Sequence, residues 1–384
     1  MLFTRASRSG GKLAHGEQLI GADWLELQLV SASFMTRLGI QLGLAAAYFF
    51  IGQLSFRFAN LESAFSGTFY LHEGYGLALG AILGFRAVPS VLAGHLALVL
   101  YQGVSWERAS ISALENGGVL ALTVAFLRLV RFNKSMSTPK DFLLLVAAAI
   151  AAYQIPSRLA GFAILAGVGG LPSMHLANLT AVIEESLADE SICQVLIAVV
   201  IVTTLDNLRL GRTYRYWIAD AGALAAISFG LIGMLWGERG MFSPLHIFSI
   251  VYIAVMINTF WFGLHGAALA NLAILVVLQW AAKQPWSPLA HLLASQDLQN
   301  SVSTILIGAI TSSCLVGALL REKADKEIEL TELATRDALT GLYNRRYFFE
   351  AASREISRTR RHEVDLVLLC IDLDHFKKIN DTYG

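Results

Sequence analysis

The feature that most constrains this chain is a succession of apolar stretches, near residues 38–58, 111–131, 141–157, 190–206, 216–236, 245–262, 264–282 and 301–320. A hydrocarbon core of roughly 30 Å takes about 20 residues of α-helix to cross, and inside it every backbone polar group must be bonded within the segment. A polytopic bundle of membrane-spanning helices is the predicted architecture. The segment 74–103 is apolar too, but Arg86 and Pro89 stand near its middle. A charge at mid-bilayer costs about 2.5–3.5 kcal/mol on insertion scales, so this segment divides more favourably into two shorter helices. The sequence therefore gives eight to ten spans and favours ten. Composition agrees, since 55% hydrophobic and 15% charged residues with a mean hydropathy of +0.56 exclude a soluble chain of this size.

Charge divides the chain. Of 29 Lys and Arg residues, 12 lie from Arg321 onward, which sets a membrane domain over 35–320 apart from the residues after it. With ten spans and a cytoplasmic N-terminus, the inner segments carry Arg5, Arg8, Lys12, Arg37, Arg86, Arg128, Arg131, Lys134, Lys140, Arg209, Arg212 and Arg215. The outer segments carry only Arg57, Arg108, Arg158, Arg239 and Lys283. This asymmetry obeys the positive-inside rule, and an even number of spans returns the C-terminal residues to the cytoplasm. Residues 1–37 hold no cleavable apolar segment, so a removable signal peptide is not expected. The formal net charge of zero argues against nucleic acid as a partner. Cys193, Cys314 and Cys370 stand singly in apolar runs and read as packing residues.

Polar groups inside or at the ends of the spans are Glu115, Asn116, Asp220, His246, Asn258 and Asn271. Ionisable residues at membrane depth are functional hypotheses by default, although Glu115 and Asp220 lie close enough to predicted helix ends to reach the interface. Between Gly170 and Glu190, Leu176, Leu179, Ile183 and Leu187 recur at helical spacing opposite Glu184, Glu185 and Asp189. That pattern predicts an outer interfacial helix, or a connector with one face packed on the bundle.

Residues 321–336 read as a connector helix continuous with the last span, with Glu322 and Lys326 in the favourable i,i+4 order. Leu320, Ala324, Ile328 and Thr331 form a narrow stripe suited to a weak parallel seam between two protomers. In the segment Asp337–Arg346, Gly341 and Asn344 are turn residues, while Asp337 can pair with Arg345 and Arg346 to fix how the helix enters the next domain. Farther on, the run Val364–Ile371 predicts a buried strand with Asp372 and Asp374 at its carboxyl end, where open α/β sheets place ligands. Carboxylates there suit a magnesium ion bound to phosphates.

The segments Asp337-Ala-Leu-Thr-Gly-Leu-Tyr-Asn-Arg-Arg346 and Val364-Asp-Leu-Val-Leu-Leu-Cys-Ile-Asp-Leu-Asp-His-Phe-Lys-Lys-Ile-Asn-Asp381 together resemble the opening of the GGDEF domain of diguanylate cyclases. The resemblance implies an α/β domain beginning at 337 and the condensation of two GTP into cyclic di-GMP by a homodimer, with one GTP held by each protomer. It implies that Asp372 and the carbonyl of Leu373 bind Mg2+, that Phe376 and Lys377 hold the GTP phosphates with the free amides of the turn, and that Asn380 reads the guanine edge. Asp337, Arg345 and Arg346 fall in the signal-transmission segment. The family's signature hairpin is not found within residues 337–384, so the domain is expected to be incomplete at Gly384, with its catalytic residues beyond that point and this stretch alone inactive. The segments Gly76–Pro89, Tyr216–Gly222 and Trp261–Gly266 resemble the first membrane-associated sensor family of bacterial signalling proteins. That resemblance implies a multi-pass protein of the bacterial inner membrane answering an unidentified signal ligand, with residues 1–34 cytoplasmic. The rival reading is a non-catalytic membrane sensor carrying a vestigial cyclase fragment.

Overall fold

The computed structural model describes residues 22–59, 70–160, 176–236, 244–282, 296–362 and 365–383, with 284, 287 and 289. The chain forms two units that meet at Glu322 and Lys323. Among its described residues the first is built of helices joined by turns and short coil. Its helices are α1 (Ala22–Ser31), α2 (Phe34–Ala59), α3 (Leu71–Leu83), α4 (Val88–Tyr101), α5 (Trp106–Leu129), α6 (Pro139–Ala160), α7 (Leu176–Arg209), α8 (Tyr214–Trp236), α9 (Pro244–Ala282) and α10 (Gln296–Thr335). Taking α3 and α4 as one interrupted segment, eight stretches among the described residues are long and apolar enough to cross a membrane.

Two of those stretches are broken by a glycine. Gly84 (φ 63, ψ −142) opens a 3-10 turn over Gly84–Ala87, and Gly263 (φ 62, ψ −148) interrupts α9. Residues with a Cβ are all but excluded from this region of backbone space. Neighbouring contacts trace the path at each break. Along α2, Gln41 Nε2 donates to the Arg86 carbonyl at 2.9 Å, whereas Ser55 Oγ accepts from the Leu71 amide at 2.7 Å and Phe49 meets the Tyr101 ring at 5.6 Å. Gln41 and Ser55 stand roughly 21 Å apart on a helix. α3 therefore runs from the far level of α2 to the near one, and α4 climbs back. At α9, Tyr252 before the break and Asn271 after it reach adjacent residues of α10, Ser312 at 3.1 Å and Ser313 at 2.8 Å. The two arms of α9 thus lie side by side. Among the described residues the eight long stretches thus comprise ten helical arms.

Basic residues gather at the end of the bundle that holds Arg86. Glu26 of α1 receives Arg86 Nη1 at 3.1 Å and Lys134 Nζ at 2.7 Å, and the Lys134 hydrogen bond holds its carboxyl below the usual range. Arg128 stacks over Phe85 at 4.6 Å. Thr138 starts α6 with a capping box, accepting from the Asp141 amide while Asp141 accepts from the Thr138 amide, and Pro139 follows where no donor is needed.

Two apolar cores fill the first unit. One gathers Leu77, Leu120, Leu145 and Leu196 around Tyr48 and Tyr153; the other joins Leu231, Val255, Ile274 and Leu278. Phe50, Phe229, Phe260 and Trp261 face outward, each at least 65% exposed. Large apolar side chains displayed this way suit lipid and would be a liability in water. Of the interfacial helix expected near 170–190, the backbone from Leu176 is helical and runs unbroken into α7. Residues 170–175 and the side chains expected to pattern it lie outside the described residues, as do residues 1–21.

The second unit holds the end of α10, α11 (Arg345–His362) and α12 (Phe376–Tyr383), with an isolated bridge between Arg336 and Tyr343. The α/β expectation is not met among the described residues: 365–373 belong to no strand, and Val364 lies outside the description. Gly384, the residue at which the incomplete domain is expected to stop, also lies outside the described residues, which reach Tyr383. A strand exists through its ladder partners, and the described chain offers this run none. Val367, Leu369 and Ile371 are each at least 79% exposed as a result. Cys370, read as a packing residue, is exposed for the same reason, whereas Cys193 and Cys314 are buried.

Candidate functional site

Asp372 and Leu373 end the extended run and α12 begins three residues later. His375 makes the turn with φ 58, and its carbonyl accepts the amides of Lys378 at 2.9 Å and Ile379 at 3.2 Å. Lys377 stands in the first turn of α12 and Asn380 on the same face one turn on. Asp372 Oδ1 accepts from the Leu373 amide at 3.0 Å, and the Leu373 carbonyl accepts from the Phe376 amide at 3.3 Å. A carboxylate and a carbonyl each keep lone pairs beyond these bonds. The donor set therefore fits magnesium, a hard ion bound by one or two carboxylates with phosphate oxygens and water completing its shell. Among the described residues no three His, Cys, Asp or Glu side chains form a metal cage.

The connector segment is built differently from the expected pairing. Asp337 meets neither Arg345 nor Arg346. Its Oδ1 accepts from the amides of Leu339 at 3.2 Å and Thr340 at 2.9 Å, and chiefly the Thr340 amide holds the carboxyl below its usual range. Arg346 pairs with Glu350 at 3.2 Å, and Arg345 lies over Phe349 at 5.6 Å. A short polar side chain at the head of a turn bonds its own downstream amides before distant partners compete. The residue that joins the two helices is Asn344. Its Nδ2 donates to the Ala334 carbonyl at 2.9 Å in the last turn of α10, while its Oδ1 accepts from the Tyr347 amide at 2.9 Å and caps α11. Arg336 completes the lock, donating to the Gly341 carbonyl at 2.7 Å and stacking over Tyr343 at 4.9 Å. The sequence marked Asn344 as a turn residue only.

Inside the first unit the polar residues form two groups. In the first, Tyr48 reaches His95 Nδ1 at 3.2 Å, His95 Nε2 reaches Ser112 at 2.9 Å, and the Tyr48 and Tyr153 hydroxyls each donate to Asn116 Oδ1 at 3.4 Å. Beside them Glu73 accepts from Gln154 at 3.3 Å and from Gln194, and Glu115 accepts from Ser157 at 2.7 Å. Tyr153 and Gln154 come from the π-helical stretch Ala148–Gln154 of α6. A widened turn of this kind is rare and re-aims side chains locally. In the second group His265 stands 3.4 Å from Asp220 and 2.9 Å from Thr203 Oγ1, and Arg321 of α10 is bonded to Asp206 of α7. Asn258 and Asn271, singled out in the sequence, serve the packing: Asn258 donates to the Gly266 carbonyl at 2.9 Å across the Gly263 break, and Asn271 ties α9 to α10. His246 is exposed at the start of α9. The sequence reading missed Glu73, His95, Gln194 and Asp206. Its available signal was the isolated polar residue within an apolar helix.

Residues 334–384 match the family described as diguanylate cyclase, GGDEF domain. The chain is 48% identical over 61 residues to the probable diguanylate cyclase DgcC of Escherichia coli K12, covering 16% of each chain. Diguanylate cyclase DgcS of Shewanella oneidensis is 43% identical over 56 residues, 15% of this chain and 19% of its own. The cyclic di-GMP phosphodiesterase NbdA of Pseudomonas aeruginosa is 36% identical over 75 residues, 20% of this chain and 10% of its own. The chain thus covers less than a fifth of the length of these curated relatives. No solved structure matches.

Proposed function

We propose that residues 35–320 form a ten-pass sensor of the bacterial inner membrane, and that 321–336 relay its state to a diguanylate cyclase domain that begins at 337. The observation that carries this reading is the pair of motifs, Asp337–Arg346 and Asp372–Asp381, within the stretch that matches the GGDEF domain. In the homodimeric reaction each protomer holds one GTP, and the ribose 3′ oxygen of one attacks the α-phosphate of the other in line, releasing pyrophosphate. A single bound GTP cannot close the ring, so two protomers must face each other.

Asp372 and the Leu373 carbonyl would hold the metal; Mg2+, when bound, would neutralise charge developing on the phosphates and fix their orientation. Lys377, in the first turn of α12, sets an ammonium where a helix start already favours anions, and Phe376 lies beside it. Asn380 offers a donor and an acceptor to the guanine edge, which helps choose guanine over adenine. Asn344 and Arg336 are added to Asp337, Arg345 and Arg346 as residues through which a shift of α10 reaches α11. The stretch also resembles part of a protein named as a phosphodiesterase, and this supports the rival in which the segment has no synthetic role of its own.

The cyclase reading places 337–384 and both termini on the cytoplasmic side, with GTP. Alkaline phosphatase fused after Lys134 or Arg212 is expected to be inactive, and after Arg239 active. Activity after Lys134 overturns the ten-pass topology, because it requires 71–101 to cross only once.

A further inference from the structure

A cavity of about 350 Å³ opens between the two arms of α9 and the facing turns of α8 and α10, with Leu231, Val255, Leu278 and Gly308 in its wall. That size, an apolar lining and a few convergent polar groups are the marks of a small-molecule pocket. Tyr252 and Ser312 supply the polar groups that matter here. Ser312 Oγ donates its one proton to the Ala309 carbonyl at 3.1 Å, so the 3.1 Å bond it shares with Tyr252 is donated by the tyrosine. The Tyr252 oxygen then keeps its lone pairs. An occupant that brings a donor can bond that oxygen.

We propose that this cavity binds a lipid-soluble alcohol or phenol whose hydroxyl donates to Tyr252 Oη while its hydrocarbon body lies against Leu231, Val255 and Leu278. A phospholipid acyl chain fills such a space but brings no donor, and a ketone of the same shape brings only a second acceptor. Gly308 and Ser312 both sit on α10, the helix that continues to Thr335, so an occupant touches the signalling helix directly. The proposal rests on the reading of the first unit as a ligand-responsive sensor and names the class of ligand.

Equilibrium binding of 4-pentylphenol and pentylbenzene to the 384-residue chain in phosphatidylcholine nanodiscs tests it, with empty nanodiscs as the partition blank. The phenol is expected to bind saturably and about three- to tenfold more tightly than the alkylbenzene, the worth of one net hydrogen bond. Tyr252→Phe should erase that difference while leaving pentylbenzene binding in place. Gly308→Leu should weaken binding of both, because Gly308 is part of the cavity wall, a side chain built there meets nothing within 4 Å, and leucine suits a helix better than glycine. Equal affinities in the native chain, or a preference that survives Tyr252→Phe, overturn the proposal. Saturable, Tyr252-dependent binding that leaves the cyclic di-GMP output of the complete cyclase containing this chain unchanged keeps the site and overturns the sensor reading instead.

Discussion

Replacing Asp372 by alanine is expected to lower cyclic di-GMP formation at least about a hundredfold in the cyclase that carries this segment. Loss of one preorganised charge-stabilising group costs on the order of 10²–10³ in rate, and Asp372 is the one carboxylate in the proposed metal position. Folding should hardly change, since among the described residues this exposed side chain bonds only the amide of its neighbour Leu373. Initial rates at saturating GTP and magnesium, read beside a thermal melt, separate the two effects. Asn380→Ala should behave differently: about tenfold weaker GTP binding with ATP binding unchanged, because the proposed role of the carboxamide is to pair with the guanine edge. Equal losses for both nucleotides count against the assignment of Asn380 to guanine.

The second large effect belongs to the first unit. Asp206 and Arg321 are bonded with side chains only 8% and 19% exposed, and the pair ties α7 to the stretch of α10 that leaves the first unit. Removing one member of a buried pair typically costs about 3–5 kcal/mol, because the other charge is left without a partner in a poor solvent for it. Asp206→Ala and Arg321→Ala should therefore each lower the unfolding temperature in detergent by many degrees. Asp206→Leu combined with Arg321→Met should restore most of the loss, since two apolar side chains of similar size leave no orphan charge. If the double variant is as unstable as the singles, the pair is not what holds these helices together.

The spanning helices were legible because length and hydropathy alone decide them, and the turn at Gly84 was legible because Arg86 beside Pro89 cannot stay at mid-bilayer. The division at Gly263 was visible only as a boundary between two apolar runs; that the arms lie side by side took the contacts of Tyr252 and Asn271 with α10. Glu73 and Gln194 escaped notice because an apolar helix has no polar face to set its rotation, so nothing local says which lone polar residue points inward. They meet from α3 and α7, 121 positions apart. The Asp337 pairing failed for the opposite reason, a local bond winning over a longer one. The strand over 364–371 has the right residues, yet periodicity describes a surface to be covered and cannot supply the cover. The order of Asp372, Leu373, Phe376, Lys377 and Asn380 around the turn into α12 was readable, since it depends on chain neighbours alone.

The most direct test of the central claim is the amount of cyclic di-GMP, measured by mass spectrometry, in a bacterial host deleted for every other cyclase and expressing the complete reading frame that contains this chain. The account predicts that the nucleotide accumulates in the membrane-inserted protein and disappears with Asp372→Ala at equal expression. No accumulation at all, or accumulation that persists in the Asp372→Ala variant, contradicts it.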